Sequence, residues 1–152
     1  MEWIEPKTDW KVEYDENGNY IGDYVNAEDV NRMINNLKNI AVQIRQILFS
    51  NHVFDVEYLQ DVIRGNILNR IYFKSLQDTI GEMLVYIYDI EASHLFYQYV
   101  LATMDNATML PTWEWYNAVE RITKMLDNDI KRIQNDKRKL KYQFGIPNTG
   151  GF

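Results

Sequence analysis

The sequence predicts a mainly α-helical fold, an up-and-down bundle of three to four helices with an N-terminal extended arm or small β-hairpin. Three observations predict it. Apolar residues recur at steps of three and four along much of residues 26–141. Helix-capping residues, Asn26 and Thr112, stand just ahead of two of those stretches. The turn pair Asn17-Gly18 lies upstream of the first stretch, in a segment without helical spacing. The chain of 152 residues fits one domain, divided into an arm (1–25), a helical body (26–141) and a tail (142–152).

In the arm, Lys11 to Tyr14 and Tyr20 to Tyr24 flank the turn, and both positions of Asn17-Gly18 tolerate the positive φ of a tight hairpin. A lone two-stranded hairpin is marginal in water. The arm should therefore lean on the helices or on another chain, with Trp3 and Trp10 as anchors. Asn26 can accept an orphan backbone N–H, while Glu28 and Asp29 suit the positive end of the helix dipole. The helix that follows carries Val30, Ile34, Leu37, Ala41, Ile44 and Leu48 on one face, widened by Met33, Ile40 and Ile47. Asn31, Asn35, Lys38, Asn39, Gln43, Arg45 and Gln46 make the opposite face polar.

Ser50-Asn51-His52 is a break. Asp55 is expected to cap a short second helix over about 56–64, bearing Val56, Leu59, Val62 and Ile63 and closed by Gly65-Asn66. A third helical stretch starts between Ile67 and Arg70 and runs to about Met104. Its seam is Leu76, Ile80, Met83, Ile87 and Ile90, with Leu84, Tyr88 and Leu95 beside it. Gly81 inside it costs about 1 kcal/mol relative to alanine and marks a close crossing or a bend; a break is expected near Asp89 to Ser93. Asp105 to Thr108 reads as a loop, and Pro111 stops any helix before it. Thr112 then caps a last helix over about 113–140, with Ala118, Val119, Ile122, Met125, Leu126, Ile130, Ile133 and Leu140 as its apolar positions. The glycine-rich end, Phe144 to Phe152, is a flexible or docked tail. The two capped starts are alike: Asn26 aligns with Thr112 and Asn31 with Asn117, as in a duplicated helix-start motif.

Hydrophobic residues are 46% of the chain, enough for a real core. A net charge of -6 repels phosphate backbones, so no nucleic-acid partner is expected. The basic run from Lys131 to Lys141 is interrupted by Asn135 and Asp136 and reads as a solvated helix end that suits the negative pole of the dipole. Without cysteine there are no disulfides, zinc-thiolate sites or thiol catalysis. Glu2, Glu5 and Asp9 are unlike a signal peptide, and no stretch approaches the roughly 18 apolar residues of a spanning helix. No membrane partner is expected, and the chain should stay in the cytoplasm until it is assembled.

No residue set points to catalysis, a cofactor or a metal. His52 and His94 are far apart and read as surface or core-edge residues. Asp89 with Glu91, and Asp127 with Asp129, are two residues apart and diverge on a helix. Glu57 and Asp61 share a face, best read as solvated. Ser50, Ser75 and Ser93 lack the glycine-bracketed elbow of hydrolases, and the glycines are too scattered to cradle phosphate. What stands out is aromatic: 11 tyrosines and 4 tryptophans, with Trp113-Glu-Trp115-Tyr116 in the first turn of the last helix. That cluster can close one end of a bundle, or serve as an interface hot spot, or both. The contact candidates are Trp3, Trp10, Trp113, Trp115, Tyr116 and Phe152.

Pro6-Lys-Thr-Asp-Trp10, then Gly22-Asp-Tyr-Val-Asn26-Ala-Glu-Asp29-Val-Asn31-Arg32-Met-Ile34-Asn35-Asn36, resembles a segment of small structural proteins of phages and prophages of Gram-positive bacteria. Leu110-Pro111, Trp115-Tyr116-Asn117 and Glu120-Arg121-Ile122 resemble a second, shorter block of such proteins, and the glycine-rich end with its closing phenylalanine is also similar. The resemblance covers about a third of the chain. It departs at Lys11 to Ile21, which looks like an inserted hairpin, and at Met33, where isoleucine is usual. It implies a non-enzymatic tail, baseplate, fibre-attachment or neck protein that contacts other virion proteins, works as a homo-oligomer and resides in the virion, or in the host cytoplasm before assembly. The alternative is a phage-encoded cytoplasmic regulator that binds a host protein.

Overall fold

A computed structural model of the chain describes residues 2–48, 50–63, 70–88, 104–105 and 110–143. Three α-helices, α1 (Ala27–Leu48), α2 (Arg70–Ile87) and α3 (Trp113–Gln143), each contact the other two and form a helical bundle. The start of α1 is fixed by a reciprocal cap. Asn26 Oδ1 accepts the Asp29 N–H at 3.0 Å, and Asp29 Oδ2 accepts the Asn26 N–H at 3.1 Å. At the start of α3, Thr112 Oγ1 accepts the Trp115 N–H at 3.3 Å.

Burial follows the apolar spacing. Val30, Met33, Ile34, Leu37, Ile40, Ala41, Ile44 and Ile47 of α1 are buried. They meet Leu76, Ile80, Met83 and Leu84 of α2 and Ala118, Val119, Ile122, Leu126 and Ile130 of α3. Each such leucine or isoleucine contributes roughly 1.5–3 kcal/mol relative to an exposed one. Leu48, expected on the stripe, is exposed at the last position of α1.

The expected second α-helix is a correction. One 3-10 turn, Asp55–Tyr58, stands there instead, and Leu59 is already extended (φ −75°, ψ 137°). Two contacts draw the chain out. Lys38 Nζ donates to the Leu59 carbonyl at 2.6 Å, and Asn31 holds the backbone of Val62. Residue 54, not Asp55, is the cap position, and Glu57 accepts the Phe54 N–H at 2.8 Å. Helix α2 passes through Gly81 without interruption. Met104–Asp105 (β1) and Leu110–Pro111 (β2) form a two-residue antiparallel pair, Met104 opposite Pro111. Gly65-Asn66, the expected break near Asp89 to Ser93, His94 and the tail from Phe144 lie outside the described residues.

Side-chain pairings set the direction of the helices. Phe73 meets Trp115 and Tyr116, and Tyr88 meets Asp129, so α2 and α3 run the same way. Arg32 meets Glu120. The segment 52–62 returns along α1, from Arg45 through Lys38 to Asn31, and pairs with α2 from His52–Glu82 to Val56–Thr79. Extended chain at about 3.3 Å per residue spans the length of α1 in this stretch, so the described part of the connection from α1 to α2 is largely extended. The arm is a second extended segment. It runs against α3, with Trp3 near Lys131, Lys7 at Glu120 and Trp10 at Asn117.

Candidate functional site: the clamped arm and its aromatic cleft

Residues 2–10 of the arm have no ladder partner, so their backbone groups need side chains. Three asparagines supply a matching geometry, because a carboxamide presents one acceptor and one donor side by side, as a peptide does. Asn36 accepts the Ile4 N–H at 3.1 Å and donates to the Ile4 carbonyl at 2.6 Å. Asn117 accepts the Trp10 N–H at 2.8 Å and donates to its carbonyl at 2.9 Å. Asn31 does the same for Val62, at 2.6 and 2.9 Å. Asn31 and Asn117 each stand five positions after a cap residue, so the duplicated start motif has a shared job: each clamps an extended segment against its helix.

Between the clamps lies a buried ionic centre. Glu120 accepts the Lys7 N–H at 2.8 Å and Arg32 Nη2 at 2.5 Å, while Arg32 Nη1 pairs with Asp29 at 2.9 Å. Burial pushes the Glu120 carboxyl up, and Arg32 pulls it back only in part. Burial opposes the charge on Arg32, but Glu120 and Asp29 more than offset it and hold the guanidinium above its ordinary value. At the edge of the arm Arg121 donates to the Thr8 carbonyl at 3.2 Å, and Lys124 pairs with Glu5.

The tryptophans follow. Trp10 is buried and stacks on Trp113 with ring centres 5.5 Å apart and planes 4° from parallel. Tyr116 leans on both rings. Trp115 is fully buried on the other side, its Nε1–H donating to Gln77 at 3.0 Å and its ring edge-on to Phe73. Burial pushes the Tyr116 phenol well up. Of the six contact candidates, Trp10, Trp115 and Tyr116 are packed within the chain, Trp3 and Trp113 are half-buried, and Phe152 lies outside the described residues.

Above Trp113 the arm folds back on itself. The Ile21 N–H donates to the Glu13 carbonyl at 2.8 Å, the Asp23 N–H to the Lys11 carbonyl at 3.0 Å, and Tyr14 and Tyr20 form a single antiparallel bridge. Asp15 shapes the turn by accepting the Asn17 and Asn19 N–H groups, and Gly18 sits at φ 80°. Tyr14, Tyr20 and Tyr24 run in a chain of edge-on contacts at 5.3 and 5.0 Å. Between this fold-back and the start of α3 opens a cleft of about 910 Å³, walled by Val12, Tyr14, Tyr24 and Trp113 with Phe73 and Tyr116 behind them. Among the described residues its polar groups include Tyr20, Thr112 and two carboxylates, Asp23 and Glu114, and no described lysine or arginine lines it. Asp23 is engaged with the Lys11 N–H and with Lys7 at 3.4 Å. Glu114 is exposed and has no cationic partner among the described residues. Sequence reasoning pointed to Trp113 but not to Tyr14, Tyr24 or Glu114, because only the fold-back brings the arm's tyrosines over α3.

Several other titratable groups are partnered within the fold. His52 Nε2 lies 2.6 Å from Glu82 and edge-on to Phe54. Burial raises Glu57, but Arg45 at 2.6 Å and the Phe54 N–H outweigh it and hold the carboxyl below its ordinary value. Asp127 pairs with Lys131, and Asp129 with Tyr88 and Arg132. Among the described residues no group of three or more acidic or histidine side chains could hold a metal, and no helix is long and apolar enough to cross a membrane. Compared with family models, curated proteins and solved structures, the chain matches none.

Proposed function

We propose that this chain is a non-enzymatic structural or adaptor subunit of a phage particle, from the tail, baseplate or fibre-attachment region, acting through contacts with other virion proteins and with copies of itself. The observation that carries the reading is the open aromatic cleft. Tyr14 and Tyr24 are 61% and 72% exposed beside exposed Val12. Tyrosine and tryptophan grouped this way on a surface fit the anchors of a protein interface. The resemblance adds its support through other residues. Trp10, Asn26, Asp29, Asn31, Arg32, Asn36, Asn117 and Glu120, which carry it, are those that cap α1 and seat the arm and the return segment. A motif made of clamp residues specifies a rigid scaffold that holds an arm in place. The test is to purify particles from the strain that encodes the chain and search them by peptide mass spectrometry. Stoichiometric presence in intact particles is expected. Absence from particles, with the chain recovered on a host protein, would replace this reading with the regulator.

A further inference from the structure

We infer that the aromatic cleft receives the basic end of α3 from a second copy of this chain, so that copies associate head to tail. The inference rests on the structural-subunit reading above and names the contact by which the copies would join.

Charge is segregated along the molecule. Residues 1–25 hold seven carboxylates against two lysines, and residues 131–141 hold six lysines and arginines against one aspartate. Lys131 and Arg132 are matched by Asp127 and Asp129. Lys137, Arg138, Lys139 and Lys141 follow in a stretch whose one carboxylate is Asp136. The cleft has the complementary make-up: Tyr14, Tyr24 and Trp113 line it together with Glu114. Aromatic faces attract ammonium and guanidinium groups, and a carboxylate beside them completes a site for a lysine or arginine side chain. The chain already uses this pairing, since Lys7 lies 5.2 Å over the Trp10 ring and Lys131 5.8 Å over Trp3.

Both surfaces belong to one rigid element. Trp113 and Glu114 open α3, and the basic stretch ends it. At 1.5 Å per residue, about 25 Å separates residue 114 from 131 and about 40 Å separates it from 141. A straight helix cannot bring its own ends together, so the complementary surfaces can meet only between copies. The joint is heterologous: one surface of the first copy meets a different surface of the second. Such a contact closes into a ring or runs on as a filament. In such a joint the negative end of the α3 dipole of one copy also meets the positive end of α3 of the next.

The test is a mixing experiment by sedimentation velocity and mass photometry on the full chain. A head variant carries Tyr24→Ala and Glu114→Lys. A tail variant carries Lys137→Gln, Arg138→Gln, Lys139→Gln and Lys141→Gln. Circular dichroism and urea unfolding confirm that each keeps the helical fold. The wild type should associate beyond the dimer, at least tenfold more weakly in 0.5 M than in 0.05 M salt. Each variant alone should be monomeric. A mixture should stop at the one-to-one dimer, because the intact tail of one can enter the intact cleft of the other. A wild type that stays monomeric at millimolar concentration, whether or not it captures another protein, overturns the inference. So does a dimer that survives in both variants. Neither result bears on whether the chain is found in particles, so its place in the virion and the head-to-tail contact are tested separately.

Discussion

Asn117 shows how one amide fixes a distant segment. Its two bonds to Trp10 join residues 107 apart in sequence, and both are partly buried. Asn117→Ala would leave the Trp10 N–H and carbonyl without partners, at a cost of about 2–3 kcal/mol. The urea midpoint should fall while the slope stays constant; a change below 0.5 kcal/mol would mean that the arm is not held there. Arg32 and Glu120 give a pH-dependent case. Glu120 is raised by burial even in its ion pair, so it favours folding most when protonated, and that contribution is lost as pH rises through its raised value. Arg32→Met removes the partner and strands the carboxylate. We expect a loss of about 3 kcal/mol at pH 7, shrinking on acidification through the carboxylate range because Glu120 can then be buried neutral. Urea unfolding of both proteins from pH 4 to 7 checks this, and a deficit that grows in acid would refute it. None of these roles was legible in sequence. A polar residue on a helix flank looks solvated until the segment it holds is known.

The helices were the legible elements, for a physical reason. Burial on one face of α1 is a local pattern, and a cap such as Asn26 acts within one turn, so both are written over a few neighbouring residues. The stretch 50–63 was not legible. Val56, Leu59 and Val62 sit at helical steps, yet only Val56 lies in a helical turn, and from Leu59 on the chain is drawn out by Lys38 and Asn31 of another element. Phe54, fully buried between the break at Ser50-Asn51-His52 and the expected cap Asp55, was hidden for the same reason. The arm's fold-back lies between these extremes. Its turn was marked by Asn17-Gly18, but its tightness depends on Gly22, where an added Cβ would lie 2.7 Å from both the Glu13 nitrogen and the Lys11 oxygen and 2.6 Å from the Tyr20 hydroxyl. Two of those atoms are backbone in the fold-back itself and cannot step aside. Gly22→Ala should therefore open the fold-back at a cost of about 1–3 kcal/mol. The readout is NMR: the ring-current shifts among Tyr14, Tyr20 and Tyr24 should collapse toward random-coil values while the α1 resonances persist. Unchanged tyrosine shifts would show that the turn has slack.

At the scale of the whole molecule, the three described helices share a direction, and the two described extended segments, the arm and 52–62, each pair with two of them instead of lying loose on the surface. The arm places Trp10 in the core, delivers the Lys7 N–H to Glu120 and lays Trp3 along the side of α3. Removing it would uncover Trp113 and leave Glu120, Asn36 and Asn117 without the groups they hold, so the arm should open only when the bundle does. Native-state hydrogen exchange tests this residue by residue. The Ile4, Lys7 and Trp10 amides, which donate to Asn36, Glu120 and Asn117, should exchange with opening free energies within about 1 kcal/mol of the global unfolding value and of the most protected amides in α1. Their opening should show the same dependence on urea as global unfolding, because the same surface is exposed in both. In Asn117→Ala, protection at Trp10 should fall further than the global stability does, while Ile4, still clamped by Asn36, should track the global value. If all three amides instead exchange in the wild type at a low free energy that urea does not change, the arm frays on its own and is an appendage of the bundle, not a part of its core.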